Sequence, residues 1–216
     1  MDRQRLRYWV GKAYMGFFGW EVEGQVPDAP RYVVIAAPHT TNWDLPFMLG
    51  TAYVLGFDPS WIGKHTLFKG VKGHFYRWLG GIPVDRSAKK DQVQQIVEHI
   101  QSVDRIALAI APEGSRSKQR YWKSGFYHIA LGAQVPIALG YLDYQRKCGG
   151  LGPSFVPSGD LDADVARIRD FYAGIAGKYP ENFSNIAFRP EGEGKERPPR
   201  RGRVSAFLHG LGWLKA

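Results

Sequence analysis

The sequence predicts an α/β domain: a mixed, largely parallel sheet flanked by helices, with an amphipathic helix at its N-terminus. Three observations carry this reading. Short β-branched apolar runs, such as Arg31–Ala37 (RYVVIAA) and residues 105–111 (RIALAIA), have the character of buried strands. Segments with apolar residues three and four apart alternate with them, the pattern of helices packed on a sheet. At 216 residues, 44% of them hydrophobic and 14% aromatic, the chain is large enough for one well-filled core and too apolar for disorder.

The elements follow in order. Residues 3–19 place Leu6, Trp9, Val10, Ala13, Tyr14, Phe17 and Phe18 on one face of a helix, with Arg3, Arg5, Arg7 and Lys12 supplying charge. That face suits packing on the domain, and equally a membrane interface, where Trp, Phe and basic residues are favoured. The strand Arg31–Ala37 ends at Pro38, and Thr41 or Asn42 can cap a helix over LPFMLGTAYVLGF. A strand over 60–63, a helix over 65–79 and a short strand over 82–84 follow. Residues 91–103 read as a helix with Val93, Ile96, Val97 and Ile100 on one side. The strand at 105–111 ends at Pro112; a helix at Gly125–Ala133 and a strand over 135–144 come next. After Cys148, GGLGPSFVPSG reads as a turn-rich linker. Leu161, Val165, Ile168, Tyr172 and Ile175 then mark a helix started by Asp160 or Asp162 and stopped by Gly177 with Pro180. Residues 189–203 are polar and proline-rich, the composition of a mobile segment, and VSAFLHGLGWLKA forms an apolar-aromatic tail. The expected division is a surface helix over 1–20, the main domain over 21–188 and a basic tail over 189–216.

Charge narrows the partners. A formal net charge of +9 and a pI near 9.7 point to anionic ones: nucleic acid, anionic lipid, or phosphorylated small molecules. The aromatics lie in apolar helical faces rather than alternating with basic residues across a sheet, which argues against nucleic acid. A single cysteine, Cys148, excludes an intramolecular disulfide and fits a reducing compartment. No stretch reaches the roughly 20 apolar residues that span a bilayer. Lys12 interrupts the apolar run behind the basic start, so no signal peptide is read there. The expected location is the cytoplasm, peripheral on the cytoplasmic face of a membrane.

Two motifs can carry chemistry. His39 and Asp44 stand five positions apart in PHTTNWDL. A carboxylate within reach of an imidazole fixes its tautomer and stabilises the imidazolium, which makes the histidine a general base. A loop-capping histidine beside a helix-starting aspartate is the plainer account of the pair in isolation. The second motif, PEGSRS, offers Glu113, Gly114, Ser115 and Arg116. A glycine lets backbone N–H groups approach a ligand, and a guanidinium pairs with phosphate through two parallel hydrogen bonds. Each motif directly follows a predicted strand, and open α/β sheets bind ligands beyond the carboxyl ends of their strands. Both can therefore share one cleft.

The order of the blocks resembles the glycerolipid acyltransferase superfamily. His39-Thr40-Thr41-Asn42-Trp43-Asp44 matches its His-x4-Asp block. Gly63-Lys64 with Leu67-Phe68 resembles the second block, and Gly81-Ile82-Pro83-Val84-Asp85-Arg86 the third. Pro112-Glu113-Gly114-Ser115-Arg116-Ser117 follows, with serine for threonine, and then Val135-Pro136-Ile137. Pro38 stands where many members carry asparagine, and the long hydrophobic N-terminal region of many members is missing. The resemblance implies transfer of a fatty acyl chain from acyl-CoA or acyl carrier protein to the hydroxyl of a lysophosphatidate-like acceptor. His39 would be the base and Asp44 its orienting carboxylate. Glu113, Gly114, Ser115 and Arg116 would bind the acceptor, with Arg86 and Lys64 as further phosphate ligands. No metal and no cofactor is expected beyond the acyl donor as co-substrate. The remaining histidines show no ligand spacing, and no glycine-rich nucleotide fingerprint occurs. The expected partners are that donor, the lysophospholipid-like acceptor and an anionic membrane surface. A lyso-aminolipid, a glycolipid or another amphiphile could replace the acceptor under the same chemistry; a basic membrane- or nucleic-acid-binding module is the reading from another class.

Overall fold

The computed structural model describes residues 2–84 and 92–190, with Lys64 described in its backbone alone. Its centre is the strand pair β2 (Arg31–Ala37) and β5 (Ile106–Ile110), parallel to each other and buried along almost their whole length. Beyond β5 lie β3 (Pro59–Lys64) and β4 (Gly81–Val84), and beyond β2 lies β6 (Ile137–Asp143), all parallel. β7 (Cys148–Phe155) runs antiparallel to β6, and β1 (Glu21–Gly24) completes that edge alongside β7. The order β1-β7-β6-β2-β5-β3-β4 makes a seven-stranded mixed sheet, as the sequence predicts.

Helices cover both faces because the two sides of β2 are both apolar. Val33, Ile35 and Ala37 meet Ile96 and Ile100 of α4 (Gln92–Ser102), Phe126 and Ile129 of α5 (Gly125–Ala133), and Ile168 of α6 (Leu161–Tyr172). Tyr32 and Val34 face the other way, towards Met48 and Leu55 of α2 (Asp44–Leu55). α1 (Arg3–Phe17) lies on α2, and right-handed crossovers put α3 (Gly70–Trp78) on the same side as α2.

Side-chain caps set two of the helix starts. Asp2 caps α1 through Gln4 N–H, and Asp160 caps α6 through Ala163 N–H at 3.1 Å. Neither Thr41 nor Asn42 caps α2; Trp43 holds that position without a side-chain bond. The helix expected over 65–79 is divided into a 3₁₀ turn (His65–Phe68) and α3, with Gly70 at φ +63° at the junction.

The glycine-rich stretch after Cys148 also departs from expectation: it is not a linker but strand β7. Its glycines answer close packing rather than turning: a Cβ on Gly149 would lie 2.3 Å from Thr51 Oγ1, and one on Gly150 2.5 Å from the Glu23 carbonyl. Strand propensity gave way there to the approach of neighbouring elements.

Candidate active site

The carboxyl ends of β2 and β5 lie side by side, so the loops that follow them meet. The Ala37–Pro38 peptide bond is cis, and His39 comes directly after it. His39 Nδ1 lies 3.0 Å from Asp44 Oδ2. The same oxygen accepts the backbone N–H groups of Thr40 and Thr41 at 2.9 and 3.0 Å, and Oδ1 accepts the Tyr144 hydroxyl at 2.8 Å. Asp44 is thus buried at the start of α2 with donors on both oxygens, a geometry that fixes its orientation. With Nδ1 engaged, Nε2 is the ring nitrogen without a hydrogen-bond partner among the described residues. The His39 side chain is 28% exposed and lines a cavity of about 560 Å³.

That cavity has two parts by chemistry. Its mouth is formed by His39, Asn42, Ser115, Arg116 and Lys123. Its interior runs between α2 and the sheet, past Val34, Met48, Phe57, Ala109 and Leu151. Gly140 and Gly150 line the strand side. The whole is a polar, cationic entrance to an apolar recess.

The PEGSRS loop forms one side of the mouth. Gly114 has φ +65°, a backbone conformation that favours glycine, and Lys123 Nζ lies close over it, 2.2 Å from where a Cβ would stand. Arg116 is exposed and makes no hydrogen bond or ion pair among the described residues, leaving its guanidinium available to a ligand. Ser115 shapes the loop: its hydroxyl donates to the Ser117 carbonyl at 3.0 Å and accepts from Gln119 Nε2 at 2.9 Å.

Glu113 is placed otherwise than the sequence suggests. Only 1% exposed, its carboxylate points away from the mouth. Oε1 accepts the His39 backbone N–H at 2.7 Å, and Oε2 accepts the Ser184 N–H and hydroxyl at 3.2 and 3.0 Å. Burial pushes this carboxyl up, against the opposing pull of its hydrogen bonds from His39 and Ser184. A buried acidic side chain with both oxygens bonded inside the protein, and absent from the cavity lining, does not face a ligand there. Glu113 instead ties the two motif loops to each other and to the segment around Ser184.

Arg86 lies outside the described residues, as do Asp85 and the Lys64 side chain, and so do residues 191–216 of the tail. Sequence reasoning overlooked Tyr144, Ser184 and the position of Lys123 at the mouth. Tyr144 and Ser184 are separated from the groups they bond by 100 and 71 positions, and no local pattern signals such contacts. Among the described residues no group of His, Cys, Asp and Glu could hold a metal ion.

Comparison with known proteins decides the family. A family model described as Acyltransferase matches residues 20–138 of the 216. The chain belongs to the acyltransferase family. Its fold is similar to that of the crystal structure of the 1-acyl-sn-glycerophosphate (LPA) acyltransferase PlsC from Thermotoga maritima. The TM-score is 0.57 at 18% identity, over 78% of this chain and 76% of that one. A search of curated proteins found no match. Membership among the acyltransferases and the α/β fold with an N-terminal helix are both borne out. No helix among the described residues is long and apolar enough to cross a membrane.

Tyr144 gives an expected result for this acyltransferase. Burial is the main cause that pushes its phenol far up, with Asp44 adding to it, so it remains a donor across the working pH range. Tyr144→Phe leaves one oxygen of a buried carboxylate without its partner, a cost of about 1–3 kcal/mol in stability. Turnover should fall by about tenfold, as His39 is held less firmly, with the acceptor KM little changed. Thermal unfolding and steady-state kinetics on the variant check both.

Proposed function

We propose that the protein transfers a fatty acyl chain from acyl-CoA or acyl carrier protein to the hydroxyl of a lysophosphatidate-like lipid. The observation that carries this reading is the His39–Asp44 pair set at the cationic mouth of an apolar recess. The family supplies acyl transfer; the recess suits a hydrocarbon chain, and the mouth suits a phosphate.

The step follows from the groups present. His39 Nε2 removes the proton of the acceptor hydroxyl as its oxygen attacks the thioester carbonyl. Asp44, bonded to Nδ1, stabilises the imidazolium that forms. The tetrahedral intermediate collapses with cleavage of the C–S bond, and the imidazolium proton passes to the departing thiolate. The ester and a free thiol result. Arg116 would hold the acceptor phosphate bidentately, with Lys123 beside it and the positive end of α5 at Gly125 facing the same mouth. Gly114 and Ser115 keep the loop in shape, and Glu113 positions His39 from behind. Lys64 and Arg86 stay candidates for the same phosphate on the sequence argument alone.

No helix among the described residues spans a bilayer, and we place the protein peripherally on an anionic membrane face. The outward face of α1 serves this: Leu6, Trp9, Val10 and Phe17 are exposed, whereas Phe18 turns inward onto Phe47.

A thiol-release assay with acyl-CoA and acyl carrier protein thioesters against a panel of lyso-lipids tests the proposal. Release should depend on a lyso-lipid with a phosphate monoester. Arg116→Ala should lower kcat/KM for that acceptor by about 10–100-fold, the worth of one charged hydrogen-bonded pair, and leave the donor KM nearly unchanged. Equal effects on donor and acceptor would remove Arg116 from acceptor recognition. A preference for an acceptor without phosphate would move the assignment to an aminolipid or glycolipid.

A further inference from the structure

α3 presents its apolar side to solvent. Val71, Phe75 and Trp78 fall at i, i+4 and i+7, one stripe of a helix, and all are exposed, Val71 by 89% and Trp78 by 63%. Phe75 and Trp78 stack on each other with ring centres 6.1 Å apart. The inward side explains this. Gly73 packs so tightly on the 3₁₀ turn that a Cβ would lie 2.1 Å from the Phe68 carbonyl oxygen, and Tyr76 fills the remaining contact against Trp61 and Phe68. No large side chain can take the place of Gly73, so the aromatic stripe cannot turn inward.

The surroundings of the stripe are basic. Between Asp58 and Asp85 the chain has no acidic residue, while Lys69, Lys72, His74 and Arg77 flank the stripe. α1 has the same character: no acidic residue in Arg3–Phe17, and an outward stripe that ends at Phe17, 84% exposed. The two helices lie on one side of the sheet and meet at a recess of about 200 Å³ lined by Arg3, Arg7, Asp58, Arg77 and Trp78. Arg7 pairs with Asp58, and Arg77 donates to the Phe68 carbonyl at 3.2 Å; Arg3 has no ion pair among the described residues. Three arginines and one carboxylate therefore line the recess. At the other end of α1, Phe18 touches Trp43, the neighbour of Asn42 and Asp44 at the cavity mouth.

We propose that α3 is a second membrane-contact element, forming with α1 a single surface that lies on an anionic bilayer. Val71, Phe75 and Trp78 enter the interface, and the arginine recess between the helices takes a lipid phosphate. Basic residues that outnumber their acidic neighbours, beside exposed aromatics, are the complement of that surface. The inference rests on the lipid-acceptor reading, and places the bilayer beside the mouth through which the acceptor would enter.

The test uses the full chain on phosphatidylcholine vesicles with and without phosphatidylglycerol. All three side chains are exposed, so Val71→Ser/Phe75→Ser/Trp78→Ser should keep the far-ultraviolet circular dichroism of the wild type. Its partition onto anionic vesicles should fall by roughly tenfold or more, while turnover of a detergent-dispersed acceptor is retained. Cys148 is buried, so Val71→Cys takes an environment-sensitive thiol label selectively; its emission should shift to the blue on anionic vesicles. The same label at Val156→Cys, the residue just after β7, should not shift. Unchanged partition of the triple variant, or no shift at position 71, overturns the proposal. It is also overturned if the triple variant alters only the sedimentation coefficient, because the stripe would then cover a second copy of the chain. Loss of detergent-dispersed turnover in the wild type, with vesicle binding intact, would sink the acyl-transfer reading and leave this one standing.

Discussion

His39→Ala should lower kcat/KM for acyl transfer by about 10²–10⁴, the usual contribution of a positioned general base. The fold should survive. The side chain is partly exposed, and its removal still leaves Asp44 with the Thr40 and Thr41 N–H groups and the Tyr144 hydroxyl. Every buried oxygen keeps a donor, so the stability change should stay near 1 kcal/mol. Thiol release and thermal unfolding, measured on one preparation, separate a lost base from a lost structure. Donor and acceptor KM should hardly move, because the imidazole acts on the reacting proton rather than on binding. Turnover close to wild type in a folded His39→Ala protein would end the assignment of His39 as base, and the acyl-transfer mechanism built on it.

The parts of this site that were legible in the sequence are those written locally. β2 and β5 are uninterrupted apolar runs, each closed by a proline, so the loops after them could be located by pattern alone. The His39–Asp44 contact spans five positions and a single turn, and the expected hydrogen bond is present. Contacts that depend on the packing of distant elements were not legible. The side-chain types in PEGSRS do not reveal which way each points: Arg116 faces the mouth and Glu113 faces the interior, on one short loop. A glycine-rich strand and a glycine-rich linker look alike until Thr51 and Glu23 are seen against them. The N-terminal helix was ambiguous because it has two apolar sides, one on α2 through Met15 and Phe18 and one in solvent through Trp9 and Phe17. Exposed stripes such as that of α3 follow the periodicity of packed helices, and only the position of Gly73 tells them apart.

Glu113→Gln should both destabilise the protein and impair catalysis. The substitution keeps size and shape but exchanges one acceptor oxygen for an NH₂ group. In the wild type Oε1 faces the His39 N–H and Oε2 faces the Ser184 N–H, so either orientation of the amide sets a donor against a donor. One backbone N–H then lies buried without a partner, at a cost of about 1–3 kcal/mol, which for a chain of this length lowers Tm by roughly 2–10 °C. Release of the His39 backbone also displaces the base, and a shift of about 1 Å at a reacting group can cost about 10²-fold in rate. The wild-type advantage should vary with pH. Burial raises the Glu113 carboxyl above its ordinary 4.5 in the folded state, so its contribution is fully present below 4.5 and is lost as pH rises through the raised value. The Tm gap between wild type and Glu113→Gln should therefore widen as pH falls from neutrality towards 4.5. Ser184→Ala removes one hydroxyl and leaves the Ser184 N–H bond in place, so it should show the same effects at smaller size. A Glu113→Gln protein with unchanged Tm and a raised acceptor KM would reverse this account, and return Glu113 to the acceptor-binding role that the family resemblance implies.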